Sequence, residues 1–224
     1  MEPNQLRELL YNLVGKNREA GFQGELLLDI IFSGGLEGQT MRQSGRGAFL
    51  YIAVQPLEPW PQRLYQEGMA LATFPHQRSL PDVKLLNYVG AILAHQTVVP
   101  ELAADEVLFV DPLDGKTILE GSTYTIFFVE TSDRIITPRL DGRILDSITR
   151  RVILEILASR PDLPFEETNV QLDQLSTFSE AFIVSTTRNI MPVTRINHTT
   201  IGTGKPGPVT LLLTRLFLEY LESY

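Results

Sequence analysis

One lysine stands apart from the others. Lys84 lies in VKLLNYVGAIL (83–93) beside Val83, Leu85 and Leu86, whereas Lys16 follows Gly15, Lys116 follows Gly115, and Lys205 lies between Gly204 and Pro206. Glycine and proline neighbours mark turns. A lysine in an apolar run has two uses. Its stem can lie along apolar surface while the ammonium reaches water. Alternatively, burial or a nearby cation lowers its pKa, and the amine becomes a nucleophile.

Three further stretches place polar groups at the ends of apolar elements. In ILEGSTYTIFFV, Glu120 ends one apolar run, either as a solvated turn carboxylate or as a functional one. In ILDSITRRVILEI, Asp146, Ser147 and Thr149 crowd a helix start. They are ordinary capping residues, or they surround first-turn N–H groups that hold a phosphate. In EAFIVSTTRNIMPV, Ser185, Thr186 and Thr187 end a strand as a polar turn, or as hydroxyls and amides facing an anion. One lysine, one carboxylate and two phosphate-competent turns are the set that pyridoxal 5'-phosphate (PLP) needs. The lysine forms a Schiff base, the carboxylate keeps the pyridine nitrogen protonated, and N–H and OH groups hold the phosphate.

Competing motifs fail on spacing. Gly115-Lys116-Thr117 would need glycine at 110 to be a P-loop, and Val110 stands there. Gly204-Lys205 is followed by Pro206. No GxSxG occurs. There is no cysteine, so disulfides and thiolate metal sites are excluded. His76, His95 and His198 are far apart and lack ligand spacing.

The order of VKLLNYVGAILA, ILEGSTYTIFFV, IITPRLDGRILDSITRRVI and SEAFIVSTTRNIMPV with IGTGKPGPVT resembles the class IV (fold type IV) PLP-dependent aminotransferases. That family includes branched-chain and D-amino acid aminotransferases and aminodeoxychorismate lyases. The matching motifs cover most of residues 80–215. The resemblance implies that Lys84 is the Schiff-base lysine and proton shuttle, that Tyr88 hydrogen-bonds the phenolic oxygen, and that Glu120 meets the pyridine nitrogen. It also implies that the amides of Ile148 and Thr149 meet the phosphate, with Ser185 and Thr186 completing that site. The fold it implies is α+β, a small α/β domain and a larger barrel-like antiparallel domain, assembled as a homodimer. Its activity would be ping-pong amino transfer to a 2-oxo acid, with a branched-chain amino acid favoured as donor. The alternatives are an aminodeoxychorismate lyase-type enzyme and a degenerate, non-catalytic member.

Against the family pattern, the chain looks shortened at its start, where members carry a phosphate-binding arginine. Arg42 and Arg46, in a glycine-rich loop, are the nearest substitutes. Ser147 replaces the usual glycine, Asp146 precedes it, and Thr125 replaces an asparagine. Gly34 stands where D-amino acid enzymes of the family tend to carry a carboxylate-binding arginine, which tilts the expected donor away from D-amino acids.

These groups need a frame. Leu6, Leu9, Leu10 and Leu13 space a helix over 4–20, and ELLLDIIF (25–32) predicts a strand covered on both faces. A glycine-rich loop over 33–47 leads to a strand at 48–55. PLEPWP (56–61), with three prolines, can continue neither helix nor strand and divides the chain into domains 1–56 and 57–224. Beyond it, strands are expected near 68–74, 106–110, 124–130, 134–138, 165–171, 180–186 and 190–196. Asp114-Gly115 turns the chain into the strand TILEG. Helices are expected at 87–96 (extending toward Val99), 147–159, 172–177 and 208–222.

The chain's 224 residues suffice for a substantial core, and 43% hydrophobic with 21% charged residues is a globular composition. A net charge of −8 argues against a general nucleic-acid or anionic-membrane binder. The polar opening MEPNQLREL predicts a helix rather than a signal peptide, and no apolar run approaches a membrane span. The expected location is cytoplasmic.

Overall fold

The computed structural model describes residues 2–34 and 47–223. Arg42, Arg46 and most of the glycine-rich loop lie outside them. The chain forms two compact units, Met1–Pro59 and Trp60–Tyr224. Among the described residues no helix is long and apolar enough to cross a membrane.

In the first unit, helix α1 (Pro3–Glu19) begins with proline in its first turn, where the missing N–H costs nothing. Strands β1 (Leu26–Ser33) and β2 (Phe49–Pro56) pair antiparallel, from Leu26 against Pro56 to Ser33 against Phe49. The apolar run of β1 is not covered on both faces as its composition predicts. Ile30 is 46% and Phe32 73% exposed. A two-stranded sheet with one helix has too little structure to cover two faces.

The second unit is built on a mixed sheet. After α2 (Gln62–Glu67) come β3 (Met69–Pro75), α3 (Val89–Gln96), α4 (Val98–Glu101), β4 (Glu106–Val110) and β5 (Thr117–Gly121). β6 (Thr125–Glu130), β7 (Ile135–Pro138), α5 (Ile148–Ala158), β8 (Phe165–Thr168) and β9 (Val170–Gln171) follow. A 3-10 turn (172–177), β10 (Phe178–Ser185), β11 (Asn189–Ile196), β12 (Thr199–Thr200) and α6 (Pro208–Glu222) complete it. The strand order is β8-β7-β6-β10-β11-β3-β4-β5-β9, with β12 on β11. The sheet curls until β5 returns beside β6, where the Gly121 N–H donates to the Tyr124 carbonyl at 2.9 Å. The result is barrel-like, and it is not purely antiparallel. β3 runs parallel to both β4 and β11, and β7 runs parallel to β8. Parallel neighbours need a crossover. That between β3 and β4 is residues 76–105, and it carries Lys84 and α3.

Alternation along the strands explains their unbroken apolar runs. Ile126 and Phe128 of β6 face a core shared with Leu108, Ile183 and Met191 inside the curled sheet. Phe127 and Val129 face the other way and pack with Phe182, Val184 and residues of α5 and α6. Phe127 and Phe182 stack at 5.1 Å. Ala72, Val107, Phe109 and Leu119 form a third cluster with α3 and α4. Both faces of the central strands are therefore occupied, and each fully buried Phe or Ile contributes about 1.5–3 kcal/mol.

Candidate active site

The residues singled out by type and spacing, and those the family resemblance adds, come together. Lys84, Tyr88, Glu120, Ile148, Thr149, Ser185 and Thr186 all line one cavity of about 320 Å³ within the second unit. Arg78, Asp82, Asp146, Ser147 and the turn Ser122–Thr125 complete much of its wall.

Lys84 stands in an irregular stretch before α3 and is exposed, as are Val83, Leu85 and Leu86. Its apolar neighbours do not enclose it, so burial is not what distinguishes it from the other lysines. Its place in the cavity wall is. Tyr88 is the residue that opens α3, four positions on.

Glu120 ends β5 and is 5% exposed. Its Oε1 accepts from Arg78 Nε at 2.8 Å and forms an ion pair with Nη2 at 2.7 Å, while Nη2 donates to the Pro81 carbonyl at 3.2 Å. Its Oε2 accepts the Leu145 N–H at 3.1 Å. Burial pushes the carboxyl above its ordinary range, and the Arg78 charge, the hydrogen bonds from Arg78 and Leu145, and the Lys84 charge offset part of that push. Gly121 follows because nothing larger fits. A Cβ there would collide with the ring of Tyr124, which folds back over it. The Tyr124 hydroxyl donates to the Val107 carbonyl at 2.6 Å, fixing the turn between β5 and β6.

The start of α5 supplies donors. Ser147 caps the helix, its Oγ accepting the Arg150 N–H at 3.1 Å. A helix leaves its first N–H groups without intrahelical acceptors, and those of Ile148 and Thr149 belong to residues lining the cavity. Asp146 sits at the same end. Its Oδ2 is held by Arg151 (Nε at 2.9 Å), while its Oδ1 is buried without a hydrogen-bond partner among the described residues. Arg151 keeps this carboxyl below the usual range, so it stays ionised at neutral pH.

The turn between β10 and β11 supplies hydroxyls. Ser185 is 8% exposed and its Oγ is buried with no hydrogen-bond partner among the described residues. A buried polar atom left unpaired is costly, and here it lies in the wall of a cavity. Thr186 is exposed beside it. Thr125 Oγ1 lies 3.2 Å from Ser147 Oγ, linking β6 to the cap of α5.

Spacing and residue type did not single out Arg78. It stands six residues before Lys84 in HQRSLPDVK, and its only sequence signal is a charge close to a motif. Nor did they single out Glu106, His95 and Arg188, charged or titratable groups packed behind the wall.

Comparison with known proteins agrees with this geometry. The profile described as "Amino-transferase class IV" matches residues 1–196. The D-alanine aminotransferase of Bacillus licheniformis is 34% identical over 211 residues, covering 92% of this chain and 70% of that enzyme. That of Staphylococcus haemolyticus is 31% identical over 159 residues, 70% of this chain. The match spans about half (54%) of that enzyme's length. Among solved structures, the branched-chain amino acid aminotransferase of Escherichia coli superposes with a TM-score of 0.84 at 20% identity, covering 98% of this chain and 72% of the other. At that identity the likeness concerns the fold. A branched-chain amino acid aminotransferase from T.th., solved with pyridoxamine 5'-phosphate, gives 0.83 at 25% identity, covering 98% and 71%. The chain belongs to the class IV aminotransferase family and has the fold of its branched-chain members.

Proposed function

We propose that this protein is a PLP-dependent aminotransferase. The observation that carries the reading is one cavity lined by a lysine, a buried carboxylate, an unpartnered buried serine hydroxyl and a helix N-terminus. The residues suit the cofactor. Ser185 Oγ and Thr186, with the first amides of α5, would hold the phosphate, and Glu120 would meet the ring nitrogen. Tyr88 would donate to the phenolic oxygen. When bound, PLP supplies a carbonyl carbon for amines and a ring that takes up electrons. Lys84 Nζ would attach the cofactor and then carry a proton during amino transfer. Arg78 holds Glu120 against the cavity wall through an ion pair and one hydrogen bond, so the carboxylate keeps its orientation without the cofactor.

The substrates in this reading are an amino acid and a 2-oxo acid. The first donor to test is a branched-chain amino acid, in keeping with the apolar wall of Leu85, Leu145 and Val184. The D-alanine aminotransferases at 31% and 34% identity favour a second reading, D-alanine as donor. We also place the protein in the cytoplasm as a homodimer. The exposed run Leu80, Val83, Leu86, Val89 and Ile92, each 47–73% exposed, supports a covering partner of the same kind. Light scattering of the purified protein tests the dimer.

The deciding experiment is a visible spectrum with added PLP, then borohydride reduction and peptide mapping. A new visible band with the label on Lys84 is expected. Labelling spread over Lys16, Lys116 and Lys205 would refute the site. L-leucine and D-alanine, offered separately with 2-oxoglutarate, then separate the two donor readings. Cofactor binding with no turnover of either would favour a lyase or a non-catalytic member.

A further inference from the structure

Behind the cavity wall lies a buried carboxylate on which three wall segments converge. Glu106, at the start of β4, is 5% exposed. Its Oε1 lies 2.6 Å from His95 Nε2 and accepts from Ser122 Oγ at 3.1 Å and from the Val107 N–H at 2.9 Å. Its Oε2 accepts from Arg188 Nη2 at 2.7 Å. Arg188 is itself buried, and its Nη1 donates to Thr123 Oγ1 at 2.8 Å. Its guanidinium lies 4.2 Å from the Trp60 ring centroid, a cation–π arrangement that offsets lost hydration.

Each partner belongs to, or is joined by its own segment to, a different part of the wall. His95 is on α3, the helix that Tyr88 opens and Lys84 precedes. Ser122 and Thr123 form the turn after Glu120. Arg188 follows Ser185 and Thr186, and its N–H closes that turn on the Ser185 carbonyl at 3.3 Å. The hydrogen bonds to Glu106 therefore run from the lining, or from elements just behind it, to one point.

We infer that Glu106 is a positioning residue: with Arg188 and His95 it holds the lysine-bearing segment, the turn after Glu120 and the Ser185 turn in fixed relation. An isolated buried ion pair adds little net stability against apolar replacements of the same shape. Rigid placement of site groups from behind is the use that matches this pattern of partners. The cofactor readout below rests on the proposed function, whereas the exchange readout does not.

The test uses the full chain and hydrogen–deuterium exchange. Glu106→Gln is expected to speed exchange together in 84–96, 121–125 and 185–189, while α6 and the middle of β6 stay near wild-type rates. His95→Ala is expected to loosen 84–96 only, and His95→Gln, which keeps an N–H donor, to restore it. Uniform acceleration over the whole unit, or acceleration of a single segment in Glu106→Gln, would overturn the inference. If Glu106→Gln does not fold, His95→Ala and Ser122→Ala decide. Each must loosen its own segment, and no change in either refutes the proposal. A second readout is the Kd for PLP, expected to rise about tenfold in Glu106→Gln, the scale of one charge-assisted hydrogen bond. An unchanged Kd would count against the proposal. If the wild type binds no PLP, the cofactor reading falls and the exchange pattern still settles the role of Glu106.

Discussion

Arg78 donates Nε to one oxygen of Glu120 at 2.8 Å and keeps Nη2 within 2.7 Å of the same oxygen, leaving the other oxygen to the Leu145 amide. Burial raises the Glu120 carboxyl above its ordinary 4.5, and Arg78 is the largest influence in the other direction. Arg78→Met should therefore raise it further and cost about 3 kcal/mol near neutral pH, the scale of breaking a buried pair. The sign follows from proton binding. Between the unfolded and folded values the folded chain holds the extra proton, so stability falls as pH rises through that window. In Arg78→Met the window extends upward, and Tm should fall more steeply with rising pH. A Tm–pH curve parallel to wild type would refute this.

Ser185→Ala separates a ligand-binding hydroxyl from a structural one. Its Oγ has no hydrogen-bond partner among the described residues. Losing it should leave cofactor-free stability unchanged, or higher by up to about 1 kcal/mol. The Kd for PLP should rise roughly tenfold. A clear drop in cofactor-free Tm would show that the hydroxyl serves the fold instead.

Asp146 puts an ionised carboxylate at the α5 N-terminus, where an anion would bind. Removing that charge in Asp146→Asn should tighten phosphate and PLP binding about two- to fivefold, the range of charge effects at a helix end. The lost pair with Arg151 is largely exposed (side chains 58% and 40%) and contributes little. Calorimetric titration with inorganic phosphate checks this, and weaker binding would sink it.

Asp114 organises the turn between β4 and β5. It accepts from Thr117 Oγ1 at 2.6 Å, from the Thr117 N–H at 2.9 Å and from the Lys116 N–H at 2.8 Å. These bonds lower its carboxyl to about 2. A lowered folded value gives stability that is present above the ordinary 3.8 and lost as pH falls toward about 2. Asp114→Asn should flatten the acid limb of the Tm–pH curve over that window. An unchanged limb would assign the acid sensitivity elsewhere.

The runs TIFFV and EAFIVS were legible as buried strands because residues of alternate parity face two different cores. ELLLDIIF has the same composition, yet Ile30 and Phe32 are exposed. A run's composition states which faces suit burial; whether cover exists depends on other elements. Glu120, Thr149 and Ser185 could be picked out because each stands where an apolar element begins or ends, Lys84 because its neighbours are apolar, and Ile148 through the family order that strings them together. Arg78 and Arg188 could not. Their partners, Glu120 and Glu106, lie 42 and 82 residues away, and no local periodicity encodes such pairings. The parallel crossover from β3 to β4 was equally hidden, since an irregular stretch and a short helix do not announce strand direction.

Trp60 is the sole tryptophan in the chain, and it lies against Arg188. Indole emission is sensitive to a nearby charge, so the protein carries its own optical reporter at the rear of the cavity. Events at the Ser185 turn or around Glu106 can be followed in real time, without a dye and with no second indole to confuse the signal.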